Sequence, residues 1–231
     1  MTAIPRSCEP LGPELWLQPA SAWTSLAFVV AGAAIVWAAR HPAPVRADDA
    51  AAASDAARLR TTLGIVTVLI GGGSVIQHGP APSWNPVVHD PPLMAAVCLA
   101  GADAVADLTG RRLRHWWWLA PTGLVVVLAA RAPGASSAVQ GVAAAVAVGA
   151  TLVRAWGRPV VRSRLLVVVG LLGAGGVIGN LSETGGPWCD PSSAWFQAGW
   201  SGHAVWHALA AVALWVLAPA LGTRRGRLHP A

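Results

Sequence analysis

The sequence predicts an all-α integral membrane protein, a single domain over residues 1–231 built from seven transmembrane helices. Three observations carry this reading. The chain is 55% hydrophobic and only 11% charged, too few charges to cover a soluble globule. Its apolar residues come in runs of about 17 to 23, the length a helix needs to cross a bilayer. Its sixteen basic residues are all Arg, and they gather in alternate connections between those runs.

The first span is placed at 22–39. The segment before it has no basic run, contains Glu9 and Glu14, and no small-residue cleavage site follows the apolar stretch, so a cleaved signal peptide is not expected. The connection 40–60 carries Arg40, Arg46, Arg58 and Arg60, and its Ala-rich stretch 48–57 is expected to be an exposed loop. The second span, 61–79, contains the run Gly71, Gly72, Gly73, small residues that let helices approach closely in a membrane. A Pro-rich turn, GPAPSWNP, leads to Asp90 and then to the third span, 92–109. The fourth span, 116–131, is short, and Arg131 and Pro133 separate it tightly from the fifth, 135–154. The sixth covers 165–181 and the seventh 199–221. No internal repeat is present.

Orientation follows from the arginines. Those of 40–60 share one side with Arg111, Arg112 and Arg114, with Arg154, Arg158, Arg162 and Arg164, and with Arg224, Arg225 and Arg227; Arg6 and Arg131 are left on the other. The N-terminus is therefore expected outside and the C-terminus in the cytoplasm. The net charge of +6 is scattered over short connections and forms no continuous stripe, so nucleic acid is not an expected partner. A Lys-free chain rich in Arg, Ala and Val points to a GC-rich bacterial genome, hence to a bacterial plasma membrane.

This topology brings distant residues level. His78 ends the second span, Asp90 precedes the third, and His203 and His207 occupy the first two turns of the seventh, all at the outer surface. The spacing of His203 and His207 puts both imidazoles on one helix face. Three imidazoles from two helices match a catalytic zinc site, whose fourth position stays open for water; such water ionises near neutral pH and becomes a nucleophile. Ser74 lies one turn before His78, where its hydroxyl could meet a developing oxyanion, unless it bonds back to its own helix. Asp90 could act as general base, orient a histidine, or merely cap the third helix. His89 is on the same side, with Asp90 the stronger candidate; His41, His115 and His229 fall on the other side and are expected to be solvated. Asp107 is expected near Arg111, while Asp103 fits a proton path, a helix–helix hydrogen bond or a neutral acid.

Ser-x-x-x-His ending the second span, DPPLM opening the third and HAVWH opening the seventh together resemble the alkaline ceramidases. These belong to the wider CREST superfamily of heptahelical zinc hydrolases, which also includes the progestin and adipoQ receptors. The likeness continues in CEP and QPASAWTSLAF near the N-terminus and covers residues 8 to 210, although between the motifs only hydropathy matches. The outside N-terminus favours the ceramidase branch. The resemblance implies one catalytic zinc on His78, His203 and His207, with Ser74 stabilising the oxyanion and Asp90 handling protons. It implies a zinc-dependent intramembrane amidase that cleaves the N-acyl bond of ceramide or a related membrane lipid. Calcium is not expected: Gln18 stands where animal members have a calcium-binding glutamate, Ser21 replaces a neighbouring asparagine, and only Glu9 remains of the acidic site.

The alternative function is a heptahelical receptor or scaffold of the same superfamily, with structural zinc and little catalysis. A transporter fits less well, because the polar cluster sits at one end and not at the midplane. Of three cysteines, Cys98 lies within the third span, while Cys8 and Cys189 both face the oxidising outer side. The resemblance implies a disulfide between that pair; two unpaired thiols is the other reading.

Overall fold

In the computed structural model, residues 7–13, 15–42 and 50–223 are described. Arg6, Glu14, Arg46, Arg224, Arg225, Arg227 and His229 lie outside the described residues. Among those described, helix dominates and the only strand-like pairing is a single bridge between Ser7 and Glu183. The elements are α1 (Pro19–Thr24), α2 (Leu26–Arg40), α3 (Ala50–His78), α4 (Asn85–Thr109), α5 (Trp116–Arg131), α6 (Pro133–Gly157), α7 (Pro159–Leu181), α8 (Ala194–Gln197) and α9 (Gly202–Leu217), the last extended by a 3₁₀ turn, Ala218–Ala220. Among the described residues, six stretches are long and apolar enough to cross a membrane: Pro19–Arg40, Ala50–His78, Asn85–Thr109, Pro133–Gly157, Pro159–Leu181 and Gly202–Ala220. α5, with 16 residues, reaches only about 24 Å, shorter than a hydrocarbon core of about 30 Å. Trp116, Trp117 and Trp118 at one end and Arg131 at the other are side chains suited to the interfaces on either side.

Helix starts follow local chemistry. Proline occupies the first turn of α1, α4, α6 and α7, where its missing N–H costs no hydrogen bond. Ser201 caps α9 by accepting from the Ala204 amide at 3.0 Å, and Ser193 caps α8 by accepting from the Phe196 amide at 3.2 Å. Gly110 ends α4 in the left-handed region at φ 67°.

Two expected boundaries are corrected. Residues 50–57 are the first two turns of α3, not an exposed loop, because Ala is the strongest helix former and nothing there breaks a helix. α4 begins at Asn85, so Asp90 lies inside the helix and does not cap it; Pro86 sets the start, and Pro91 and Pro92 are absorbed further along. Lacking N–H groups, these two prolines leave the Val87 and Val88 carbonyls without their helical donors.

Six helices close a ring in the order α2, α3, α4, α6, α7, α9, with α5 packed against α4 and α6. The core inside it is formed by Phe28 and Ile35 of α2, Leu63 and Ile70 of α3, Leu99 of α4, Leu165 and Val168 of α7, and Ala210 and Leu217 of α9. The ring has two polar ends. One gathers the end of α3 with the starts of α4, α6 and α9. The other gathers the opposite ends of the same helices.

At this second end Arg154, only 1% exposed, is the hub. Its guanidinium donates to Asp103 at 2.8 Å, to Asp107 at 2.9 Å, and to the carbonyls of Ala220 and Thr223 at 3.0 and 2.8 Å. Arg158 forks onto both oxygens of Asp107 at 2.7 and 2.8 Å. Asp107 thus pairs with Arg154 and Arg158 rather than Arg111, and Asp103 serves in a helix–helix bond. Arg154 lies in the last turns of α6 and not in the expected loop, whereas Arg158 is the non-helical residue that links α6 to α7. Two carboxylates one turn apart on α4 meet two guanidiniums at similar spacing around the end of α6, so the buried charges cancel.

The N-terminal strap is bonded to the rest of the chain. Cys8 and Cys189 form a disulfide with Cα atoms 5.5 Å apart, and the Cys8 amide donates to the Ser182 carbonyl at 3.1 Å. Their 181-residue separation would give about 5 kcal/mol of unfolded-state entropy as an upper bound, since the spans constrain the chain even without the bond. Cys98 is free. Thiol titration of denatured, unreduced protein should therefore find one reactive thiol, and three after reduction; three before reduction would contradict the bond.

Candidate metal centre

The first polar end brings His78, His203 and His207 together. One ligand atom from each lies within 4.8 Å of the others, and the ring centroids are 4.7 to 5.0 Å apart. Helical spacing accounts for two of them, since Ser201 starts α9 so that residues 203 and 207 share its inner face. His78 reaches them as the last residue of α3.

The outer nitrogens of two rings are already committed. His78 Nδ1 lies 2.7 Å from Gln18 Oε1, and His207 Nδ1 lies 3.0 Å from the Ser21 carbonyl oxygen. Both partners are oxygens that only accept, so each Nδ1 carries the proton and each Nε2 presents a lone pair. Thr24 and Ser25 hydroxyls add contacts to His207 Nδ1 at 3.3 Å. His78 Nε2 is buried and has no hydrogen-bond partner. A buried acceptor left unmet is costly, and a cation between the rings would satisfy it. The residues present therefore fit a divalent metal with imidazole preference such as zinc.

Asp90 lies outside the set of mutually close ligand atoms. Its Oδ1 lies 3.0 Å from His89 Nδ1, and its Oδ2 accepts from the Ser136 hydroxyl of α6 at 2.8 Å, with Gln140 supporting Ser136 at 3.2 Å. His89 in turn sets its ring edge-on to His78, centroids 6.5 Å apart. Ser74 is buried on α3 one turn before His78. Gly73 makes the approach of α3 and α4 possible: a Cβ there would collide with the Val88 carbonyl oxygen, one of the two freed by the prolines. Of the three expected small-residue contacts, Gly71 meets α2 and Gly73 meets α4, whereas Gly72 faces open space. His41 and His115 are exposed and take no part.

The strap continues into this site. Glu9 is buried, and its carboxylate accepts from the Ser21 hydroxyl at 2.7 Å and amide at 3.1 Å; the Ser21 hydroxyl is also 3.3 Å from that of Ser201 at the start of α9. Burial pushes the Glu9 carboxyl above its ordinary pKa, while the bonds from Ser21 and Ser201 pull the other way. A Cβ on Gly202 would collide with the Ser182 side chain, so only glycine lets α9 begin this close to the loop.

Sequence reasoning missed Gln18, the Ser21 carbonyl, His89 and Ser136 as partners of the site. In the sequence Gln18 and Ser21 stand out only as departures from a calcium site. Nothing local to them signals contact with a histidine far along the chain. No protein-family model matches the chain, and no curated protein is significantly similar to it.

Proposed function

We propose that the chain is a seven-span bacterial plasma-membrane protein and a zinc-dependent amidase acting on N-acyl lipids, with His78, His203 and His207 holding the metal. The observation that carries this is the triad itself: three buried or half-buried imidazoles with ligand atoms within 4.8 Å, two of them turned by Nδ1 acceptors so that Nε2 faces inward. The likeness of the Ser-x-x-x-His, DPPLM and HAVWH motifs to the alkaline ceramidases supports the reaction class. The arginine distribution supports an outside N-terminus, which puts the histidine end, with its Arg-free segments 80–91 and 182–198, at the outer face.

Bound zinc would supply Lewis acidity and lower the pKa of water. The chain's own residues do the rest. Ser74 offers a hydroxyl donor to the amide carbonyl oxygen as it gains negative charge. Asp90, its oxygens oriented by Ser136 and His89, accepts the proton of the attacking water and returns it to the leaving amine. The products are a fatty acid and an amine or sphingoid base. The apolar helix faces around the site let the acyl chain stay in the bilayer.

The test is zinc quantification on purified protein together with a lipidomic screen for released fatty acid. Ser74→Ala and Asp90→Asn are expected to keep zinc but lose turnover, by about 10²–10³ for the oxyanion donor and about 10²–10⁴ for the base. Full activity in either variant would refute that residue's role. Stoichiometric zinc with no hydrolysis of any N-acyl lipid would leave the triad as a structural site.

A further inference from the structure

Gln18 is fully buried, and both its carboxamide oxygen and its backbone N–H bond to His78. Its Oε1 accepts from His78 Nδ1 at 2.7 Å, its Nε2 donates to the Ser7 carbonyl at 2.9 Å, and its own amide donates to the His78 carbonyl at 2.8 Å. Ser7 is the residue before Cys8, whose disulfide to Cys189 and amide bond to Ser182 hold the strap in place. A continuous line of bonds therefore runs from the disulfide through Ser7 and Gln18 to the outer ring nitrogen of a triad histidine.

We infer that Gln18 is a positioning residue for the metal site: its carboxamide fixes the tautomer and rotation of His78, and the N-terminal strap fixes Gln18. The inference rests on the reading of the triad as a metal centre, and it gives the strap a use beyond covering the bundle end. The physical reason is the asymmetry of the amide. Its donor end is engaged by Ser7, so only the carbonyl end faces His78, and His78 must then present a proton at Nδ1 and a lone pair at Nε2. A histidine free to take either tautomer, or to rotate about χ2, would offer that lone pair for only part of the time. Outer hydrogen bonds of this kind are worth about 10–100-fold in metal affinity.

Two measurements test this. In zinc-free protein with ¹⁵N-labelled histidine, His78 should show a protonated Nδ1 and an unprotonated Nε2, and Gln18→Leu should convert it to a mixture of tautomers. By competition against a chelator of known affinity, Gln18→Leu should bind zinc about 10–100-fold more weakly, while Gln18→Glu, whose carboxylate still accepts from Nδ1 but can no longer donate to the Ser7 carbonyl, should recover part of the loss. Reduction of the Cys8–Cys189 bond should weaken zinc binding in the parent by more than it does in Gln18→Leu, where the line is already cut. Parental zinc affinity and an unchanged His78 tautomer in Gln18→Leu would overturn the inference. If Gln18→Leu does not fold, Gln18→Glu together with the tautomer of the parent decides: a parent His78 protonated at Nε2 overturns it. Should the parent bind no zinc, the metal reading fails, yet the tautomer measurement still judges Gln18.

Discussion

Zinc content and hydrolysis are expected to disappear together in His78→Ala, in His203→Ala and in His207→Ala. Each substitution removes one of three imidazoles whose ligand atoms converge within 4.8 Å, and no other His, Cys or acidic side chain among the described residues joins that group to replace it. Asp90 lies outside the group, its two oxygens held by His89 and Ser136. The loss should exceed the about 10²–10⁴ of a missing general base, because a bound metal would supply both the electrophile and the acidified water. The measurement is metal analysis after exhaustive washing, with fatty-acid release assayed in parallel. His41→Ala and His115→Ala, both exposed, serve as controls and should match the parent. A chelator should inactivate the parent, and added zinc should restore it but not the triad variants. Full zinc stoichiometry in all three variants would remove the metal assignment.

At the other end of the ring, Arg154→Met is expected to destabilise the protein by about 3–5 kcal/mol, the usual cost of removing one partner of a buried ion pair. Asp103, fully buried, would lose the Arg154 guanidinium and keep the Gly222 amide at 3.2 Å, and the Ala220 and Thr223 carbonyls beyond α9 would lose the Arg154 donor. Asp107 would keep Arg158. Arg154→Lys should rescue little, since an ammonium cannot fork to two carboxylates and two carbonyls at once. Removing both charges, as Arg154→Met with Asp103→Leu, should recover much of the loss, because a neutral apolar pair leaves no unpaired ion. Unfolding in detergent or bicelles, followed by helix signal against denaturant, reads these differences. A single Arg154→Met variant as stable as the parent would show that the cluster contributes nothing.

How much of this was legible in advance varies with the range of the interaction. The seven apolar runs are plain in the hydropathy, and every one corresponds to a helix, since burial of a helix in an apolar medium needs only composition over a short window. The His203–His207 pairing is likewise local, a matter of one helical turn. Errors arise where composition is ambiguous. Residues 50–57 lack hydrophobicity but have the highest helix propensity, and propensity prevails. Residues 85–91 are rich in proline, which reads as a turn, yet proline is tolerated in the first turns, and Asp90 is drawn inside α4.

Sequence alone determined what depends on the chain's own periodicity: the number of apolar helices, their approximate limits, and which ionisable residues stand near which end. The tertiary structure decided what depends on helix rotation and contact across the ring. Arg154, which composition places in a loop, is buried because Asp103 and Asp107 rotate toward it. His78 acquires its tautomer from Gln18 and His207 from the Ser21 carbonyl, two partners more than fifty residues away in each case. Hydropathy averages over all sides of a helix and so carries no record of which side meets which neighbour. Hydrogen bonds act over about 3 Å and select one rotation and one depth. That selection converts three histidines at the same level into a site with aimed lone pairs.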